Sequence, residues 1–355
     1  MKRKLQTVFI LLFYLIPCSH LSGQEKQAKD KYTLLTMPYN QRPLTLYKGQ
    51  LQINAGYQFA VRSKSYNADG EKISLKTDGS ASIMHTYIFE LKYGITDFIE
   101  IGMNSYYLRN GIRSESGVTL SGSDAVTTNS LNEYKGFGDL TLAAAFRIPI
   151  EYKSYDVSLK GGITLPSAEH QPSEPTHAIT DYVSPNTYTV NYHFNNNNGI
   201  GVPIYFFAGS AKITLSKISL EASGNYSFPA KEGESIRWNW TLIGSKFTYN
   251  SIPYNYLPDR TLTINGSVHY QGAGWLDLFL SNYYSKTSSG WTEYYNLKYA
   301  NPETALFTIE PGFELQVSPS LTIYQYAGFH LTGTNTDAPF YLLTTISFNM
   351  FPFWK

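Results

Sequence analysis

The sequence predicts an all-β protein: a transmembrane antiparallel up-and-down β-barrel of twelve strands, with short periplasmic turns and long extracellular loops. Three observations predict it. Apolar and polar residues alternate with a period of two in twelve stretches, as in Ile218-Ser-Leu-Glu-Ala-Ser-Gly-Asn-Tyr-Ser-Phe228. The N-terminus carries an export signal. Every second gap between stretches is short and most of the others are long, the rhythm of a barrel with both chain ends on the periplasmic side.

In order along the chain, Lys2, Arg3 and Lys4 precede nine apolar residues, Val8 to Ile16. That run is too short to span a bilayer and suits a signal-peptide core. Small residues Ser19, Ser22 and Gly23 follow, so residues 1–23 are read as a signal peptide cut before Gln24. Pro17 occupies the place of the small residue that lipidation of Cys18 would need. Residues 24–49, with Pro38, Arg42 and Pro43, are either a flexible periplasmic leader or a small plug lying in or under the lumen. Residues 50–355 form the barrel.

The strands read as roughly 50–63, 81–94, 98–110, 138–150, 155–165, 200–215, 218–228, 235–254, 261–285, 304–317, 320–332 and 339–351. Ile95-Thr96-Asp97, Glu151 to Ser154, Ser216-Lys217, Asn255 to Arg260 and the neighbourhood of Pro319 are rich in turn-forming residues and read as tight turns. The stretches 64–80, 111–137, 166–199 and 286–303 read as outer loops. Between 261 and 304 two readings stay open: two long strands that rise above the bilayer, or two extra strands and fourteen in all.

Composition narrows the function classes. Loss of the three N-terminal cations leaves 25 basic against 27 acidic residues, which gives no support to a nucleic-acid partner. The single cysteine, Cys18, leaves with the signal, so disulfides and thiolate metal sites are excluded from the mature chain. Thirty Tyr and twenty Phe fit the aromatic girdles of a barrel at the outer membrane, with lipid and a small-molecule solute as its partners. The oligomeric state is not specified.

The pleat assigns faces. Leu51, Ile53, Tyr57, Phe59 and Val61 go to lipid, so Gln52, Asn54, Gln58 and Arg62 go to the lumen. The same phase sends inward Glu90, Lys92, Glu100, Asn104, Asp139, Arg147, Asp156, Lys160, Lys212, Glu221, His269, Glu310 and Glu314. The reverse register would put these charges in lipid, where Arg or Lys at mid-depth costs about 2–4 kcal/mol. The lumen is then wet and mixed in sign: either the lining of a selective pore or a set of charges that neutralise one another.

No catalytic, cofactor or metal site is expected. A barrel hydrolase needs Ser, His and an orienting polar residue at one depth on one face, and neither His269 nor His330 shows a convincing serine beside it. His170, His177 and His193 share a loop with Glu169 and Glu174, but their spacing matches no ligand motif.

Arg42-Pro-Leu-Thr-Leu-Tyr-Lys-Gly-Gln-Leu-Gln-Ile-Asn-Ala-Gly56 resembles the opening of the meta-pathway phenol-degradation family of outer-membrane barrels. Leu91 to Gly102 is similar to that family's second hairpin, Gly136-Phe-Gly-Asp-Leu-Thr-Leu142 to its Gly-x-Gly-Asp-hydrophobic element, and Phe313 to Gly328 to its penultimate hairpin. Leu165-Pro-Ser-Ala-Glu169 departs from the family's Pro-Thr-Gly. The terminal Phe351-Pro-Phe-Trp-Lys355 is a ragged form of the aromatic end that the outer-membrane assembly machinery reads. The resemblance implies passive transport of small, apolar or aromatic molecules. Read from the residues themselves, Gly136 and Gly138 let the chain turn out of its loop, and Asp139 then either bonds loop amides or meets a solute.

Overall fold

The computed structural model describes residues 42–75, 82–121, 124–149, 154–170, 176–184, 187–196, 199–243, 246–294 and 297–351. The predicted signal peptide and residues 24–41 of the leader lie outside them.

Twelve strands close a barrel: β1 (Leu51–Arg62), β2 (Ser82–Gly94), β3 (Ile99–Ser121), β4 (Leu140–Ile148), β5 (Tyr155–Leu165), β6 (Ile204–Leu215), β7 (Ile218–Pro229), β8 (Arg260–Ala273), β9 (Leu276–Ser288), β10 (Thr304–Ser318), β11 (Leu321–Thr334) and β12 (Phe340–Met350). Each pairs antiparallel with its sequence neighbours, and β1 closes on β12 from Leu51↔Met350 to Val61↔Phe340. Closure leaves no edge whose backbone groups would face lipid unbonded. The outer face carries the apolar half of each alternation: Ile53, Phe89, Leu159, Phe207, Val268 and Leu280 are all exposed.

Short connections gather at one end. Between β2 and β3 the Thr96 hydroxyl accepts from the amides of Phe98 and Ile99, 3.1 and 2.9 Å away. Ser216 turns β6 into β7 in the left-handed region, with φ of 56°.

The count of twelve stands, but on a different set of strands. Residues 235–254 are not a barrel strand. Gly233–Ile243 and Lys246–Leu257 form a hairpin that joins Trp291–Tyr294 and Leu297–Ala300 in a separate four-stranded sheet at the outer end. Residues 255–260 are therefore not a periplasmic turn: Asp259 Oδ1 accepts from the Gly290 amide and the Asn301 side chain, tying two outer loops together. Residues 261–285 are two strands, folded back at Gly274-Trp275 after a bulge at Gly272. In 261–285 the hairpin keeps even positions on the outer face before and after the turn, as in Val268↔Leu280, so the alternation runs through it uninterrupted. In 235–254 the hairpin pairs Trp238 with Ser251 and exchanges odd and even positions, and its strand-forming residues belong to the outer sheet instead of the barrel.

The stretches 111–137 and 166–199 also contain strands. β3 continues beyond the barrel and pairs with Asp124–Phe137. Thr187–Asn196 lies parallel to that strand, and Thr176–Ser184 antiparallel to Thr187–Asn196. These stretches, read from the sequence as outer loops, are strands ordered by pairing beyond the barrel.

If the outer face meets lipid, Leu280→Arg is expected to lower stability in phospholipid vesicles by about 2–4 kcal/mol, as for a cation near mid-depth. Denaturant unfolding measures it, and a change below about 0.5 kcal/mol would mean this face is not in the bilayer.

Candidate functional site: the floor and wall of the lumen

The segment Arg42–Gln50 crosses the periplasmic end of the barrel and is held there by the inward charges. Gln50 N donates to Tyr47 O, and Gly49, at φ of 74°, turns the chain into β1. Gly49 N then donates to Gly94 O at 2.7 Å, and Gly94 N to Gln50 O at 2.9 Å. A Cβ on Gly94 would sit 2.0 Å from Tyr47 O, so only glycine lets the segment lie this close.

The rest of the segment is bound through its backbone. Leu44 N donates to Asp156 Oδ2 at 2.7 Å, Leu46 N to Glu100 Oε2 at 2.9 Å, and Lys48 N to Asp97 Oδ1 at 3.0 Å. Arg42 Nη1 meets Glu314 Oε1 at 2.5 Å, and Lys212 Nζ donates to the Arg42 carbonyl at 3.2 Å. Thr45 and Glu314 are buried, the latter only 3% exposed. Burial pushes the Tyr47 phenol above its ordinary range, against the opposing effect of Arg147, so it stays neutral.

The other inward charges meet partners of opposite sign or neutral donors. Glu90 accepts from Asn54 at 2.6 Å and pairs with Lys92 at 3.1 Å. Glu100, Asn104 and Lys160 line a small cleft with them. Arg147 stands 3.9 Å from Asp156 and over the Phe98 ring, and Lys212 lies 3.2 Å from Glu221. Gln52 donates to Ser347 Oγ, while Gln58 is half-buried between Thr86 and Leu343 in the register.

Near the outer mouth, Arg62 pairs with Asp337 at 2.7 Å, and Glu310 accepts from the Tyr341 hydroxyl. Asp139 is buried and takes the loop-bonding option: its two oxygens accept from Ala168 N at 2.9 Å and Ile200 N at 2.7 Å. Gly138 lets it in, since a Cβ there would strike the Tyr106 ring. Tyr256 donates to Ile200 O and stacks on His170, whose Nδ1 lies 2.8 Å from Gly199 O. Burial, with Tyr254 and Asp139 adding to it, pushes the Tyr256 phenol up to about 12, so it remains a donor at neutral pH. His170 thus braces a loop; the side chains of His177 and His193 lie outside the described residues. Among the described residues no group of three His, Cys, Asp or Glu could hold a metal.

One sequence expectation fails here. His269 does have a serine beside it: Ser267 Oγ lies 3.0 Å from His269 Nε2, and His269 Nδ1 lies 2.8 Å from Asp277 Oδ2. Ser267 and His269 share the inward face of β8, two residues apart, a signal present in the sequence. Asp277 was hidden by the unbroken reading of 261–285. On one continuous strand it would stand about 27 Å from His269, and only the Gly274-Trp275 turn brings it back.

Against known proteins, no family model and no curated protein matches this chain. Among solved structures, the COG4313 outer membrane channel from Pseudomonas putida F1 superposes with a TM-score of 0.56 at 14% identity, over 86% of this chain and 97% of that one. The chain has the fold of an outer-membrane channel. That is the fold which the resemblance carried by Arg42–Gly56 and Gly136–Asp139 implies. The NanC porin (TM-score 0.40, 10% identity, 84% of this chain and 98% of that one) and the CymD monoaromatic hydrocarbon channel (0.42, 8%, 94% of each) also match, too loosely to add to the argument.

A hydrogen bond to a charged group contributes about 1.5–3 kcal/mol. Glu314→Gln, which takes the carboxylate from Arg42, is therefore expected to raise hydrogen exchange at the Leu44 and Leu46 amides about tenfold or more. An unchanged rate would mean the segment is held without that pair.

Proposed function

We propose that this protein is a passive outer-membrane channel for small molecules, constricted at the periplasmic end by residues 42–50. The observation that carries this reading is the closed twelve-stranded wall around a polar lumen, in the fold shared with the COG4313 channel. Solutes move down their gradient past groups whose charges are already matched, so the lumen presents little net field. That favours uncharged solutes over ions. The lumen rings of Phe279, Tyr326 and Tyr341, in edge contact with one another, suit aromatic or apolar ones. In this reading no chemistry is needed for passage, residues 1–23 are removed on export, and the assembly machinery reads the aromatic C-terminus. The bonds that Asp139 makes hold the outer loops open or narrowed in one arrangement.

Planar bilayers and liposome swelling test the proposal. The native chain is expected to give small conductance steps and to pass small uncharged solutes. Gly94→Ala, which denies Tyr47 its seat, is expected to give larger steps. A native protein that stays electrically silent and passes no solute contradicts the reading.

A further inference from the structure

We infer that Ser267, His269 and Asp277 form a nucleophilic relay that gives the lumen an esterase activity toward small acyl esters. The reading goes beyond passage and requires only that a solute enter the lumen. The three groups stand in the order that the chemistry needs. The Asp277 carboxylate can only accept, so the proton on the 2.8 Å bond belongs to His269 Nδ1. Nε2 is then left with a lone pair aimed at the Ser267 hydroxyl, 3.0 Å away. This is the tautomer in which imidazole acts as a general base on a serine.

The surroundings hold that arrangement. His269 is 7% and Asp277 5% exposed, while Ser267 is half-exposed, so the nucleophile faces the lumen with its supports behind it. The Phe279 ring packs 5.2 Å from the imidazole at 31° and limits its rotation. Glu221, opposite Ser267 in the β7–β8 register, is paired with Lys212, which offsets negative charge across from the nucleophile. Pleat alternation also fixes the substrate's route. Val268 and Tyr270, on either side of His269, are 49% and 48% exposed on the outer face. The relay therefore opens to the lumen and away from lipid, so its substrates are esters small enough to enter the barrel and not envelope lipid.

The step balances without a co-reactant other than water. Ser267 Oγ bonds to the acyl carbon as its proton passes to Nε2, and the adduct collapses by breaking the bond to the alcohol oxygen, which leaves with that proton. Water then attacks the acyl-serine carbon and gives a proton to Nε2. Collapse releases the acid, and Ser267 recovers its proton. Ser267 and His269 are the catalytic residues, and Asp277 is a positioning residue.

The test uses the folded full-length protein in detergent with an alkyl fluorophosphonate and with p-nitrophenyl acetate. We expect one phosphonyl adduct, mapped by mass spectrometry to Ser267, and ester hydrolysis that Ser267→Ala abolishes. Asp277→Asn is expected to slow both reactions roughly 10³–10⁴-fold, as loss of the orienting carboxylate does elsewhere, without altering heat-modifiable migration on gels. Ser267→Cys, probed with a small methanethiosulfonate, reports access. If the cysteine is modified but the native serine takes no adduct, or if Ser267→Ala hydrolyses at the native rate, the relay is overturned while the channel reading stands. If the cysteine is also unreactive, solutes do not reach this wall and the relay is overturned, while conductance and liposome swelling decide the channel reading separately.

Discussion

Every backbone amide and carbonyl inside a bilayer must find its partner within the protein, and for a chain of strands only closure achieves this. The β1–β12 seam, paired from Leu51↔Met350 to Val61↔Phe340, is where that requirement is met. Most of what distinguishes the molecule follows from it. A closed wall has two faces, strand pleating sends alternate residues to each, and lipid accepts only the apolar set. The charges are left to the interior, where they must satisfy one another.

They do so in pairs and with borrowed donors. Lys92, Arg147 and Lys212 answer Glu90, Asp156 and Glu221 across or along the wall. Glu100 and the second oxygen of Asp156 take main-chain amides from residues 42–50, and Glu314 takes Arg42. The segment needs little apolar surface to stay in place, because its own backbone donors neutralise wall carboxylates. The two readings of the interior, pore lining and self-neutralising filler, thus apply to the same residues: the pairs that quiet the lumen's field also hold its floor. The relay at Ser267 follows the same economy, with a buried histidine satisfied on both nitrogens by groups that make it a base.

The sequence carried the architecture because alternation is a direct physical record of a two-faced wall. Ile218 to Phe228 could be assigned residue by residue for that reason. It failed where a turn preserved the phase. Gly274-Trp275 interrupts a strand without shifting which positions face out, so two barrel strands read as one, while 235–254 read as a barrel strand although it belongs to the outer sheet. Asp277 was lost to the site by the same cause, since its distance from His269 is a property of the turn and not of the spacing. The hold on residues 42–50 was legible only in part. Pro43 and Gly49 mark an irregular segment, but main-chain bonds to Asp156 and Glu100 leave no pattern in side-chain identity. Outer strands such as Asp124–Phe137 were invisible because a mostly polar run without a clear period reads as a loop.

The lumen's inward charges hold residues 42–50 across its periplasmic end. Thiol accessibility checks this hold, in a chain with Cys18 changed to Ser so that no other thiol is present. Thr45 is buried and Lys48 exposed on the same short segment. In the folded protein, Lys48→Cys is predicted to react at once with a bulky water-soluble maleimide, and Thr45→Cys to react only after denaturation. Equal, rapid labelling of both would show the segment free in the periplasm and not held by the wall.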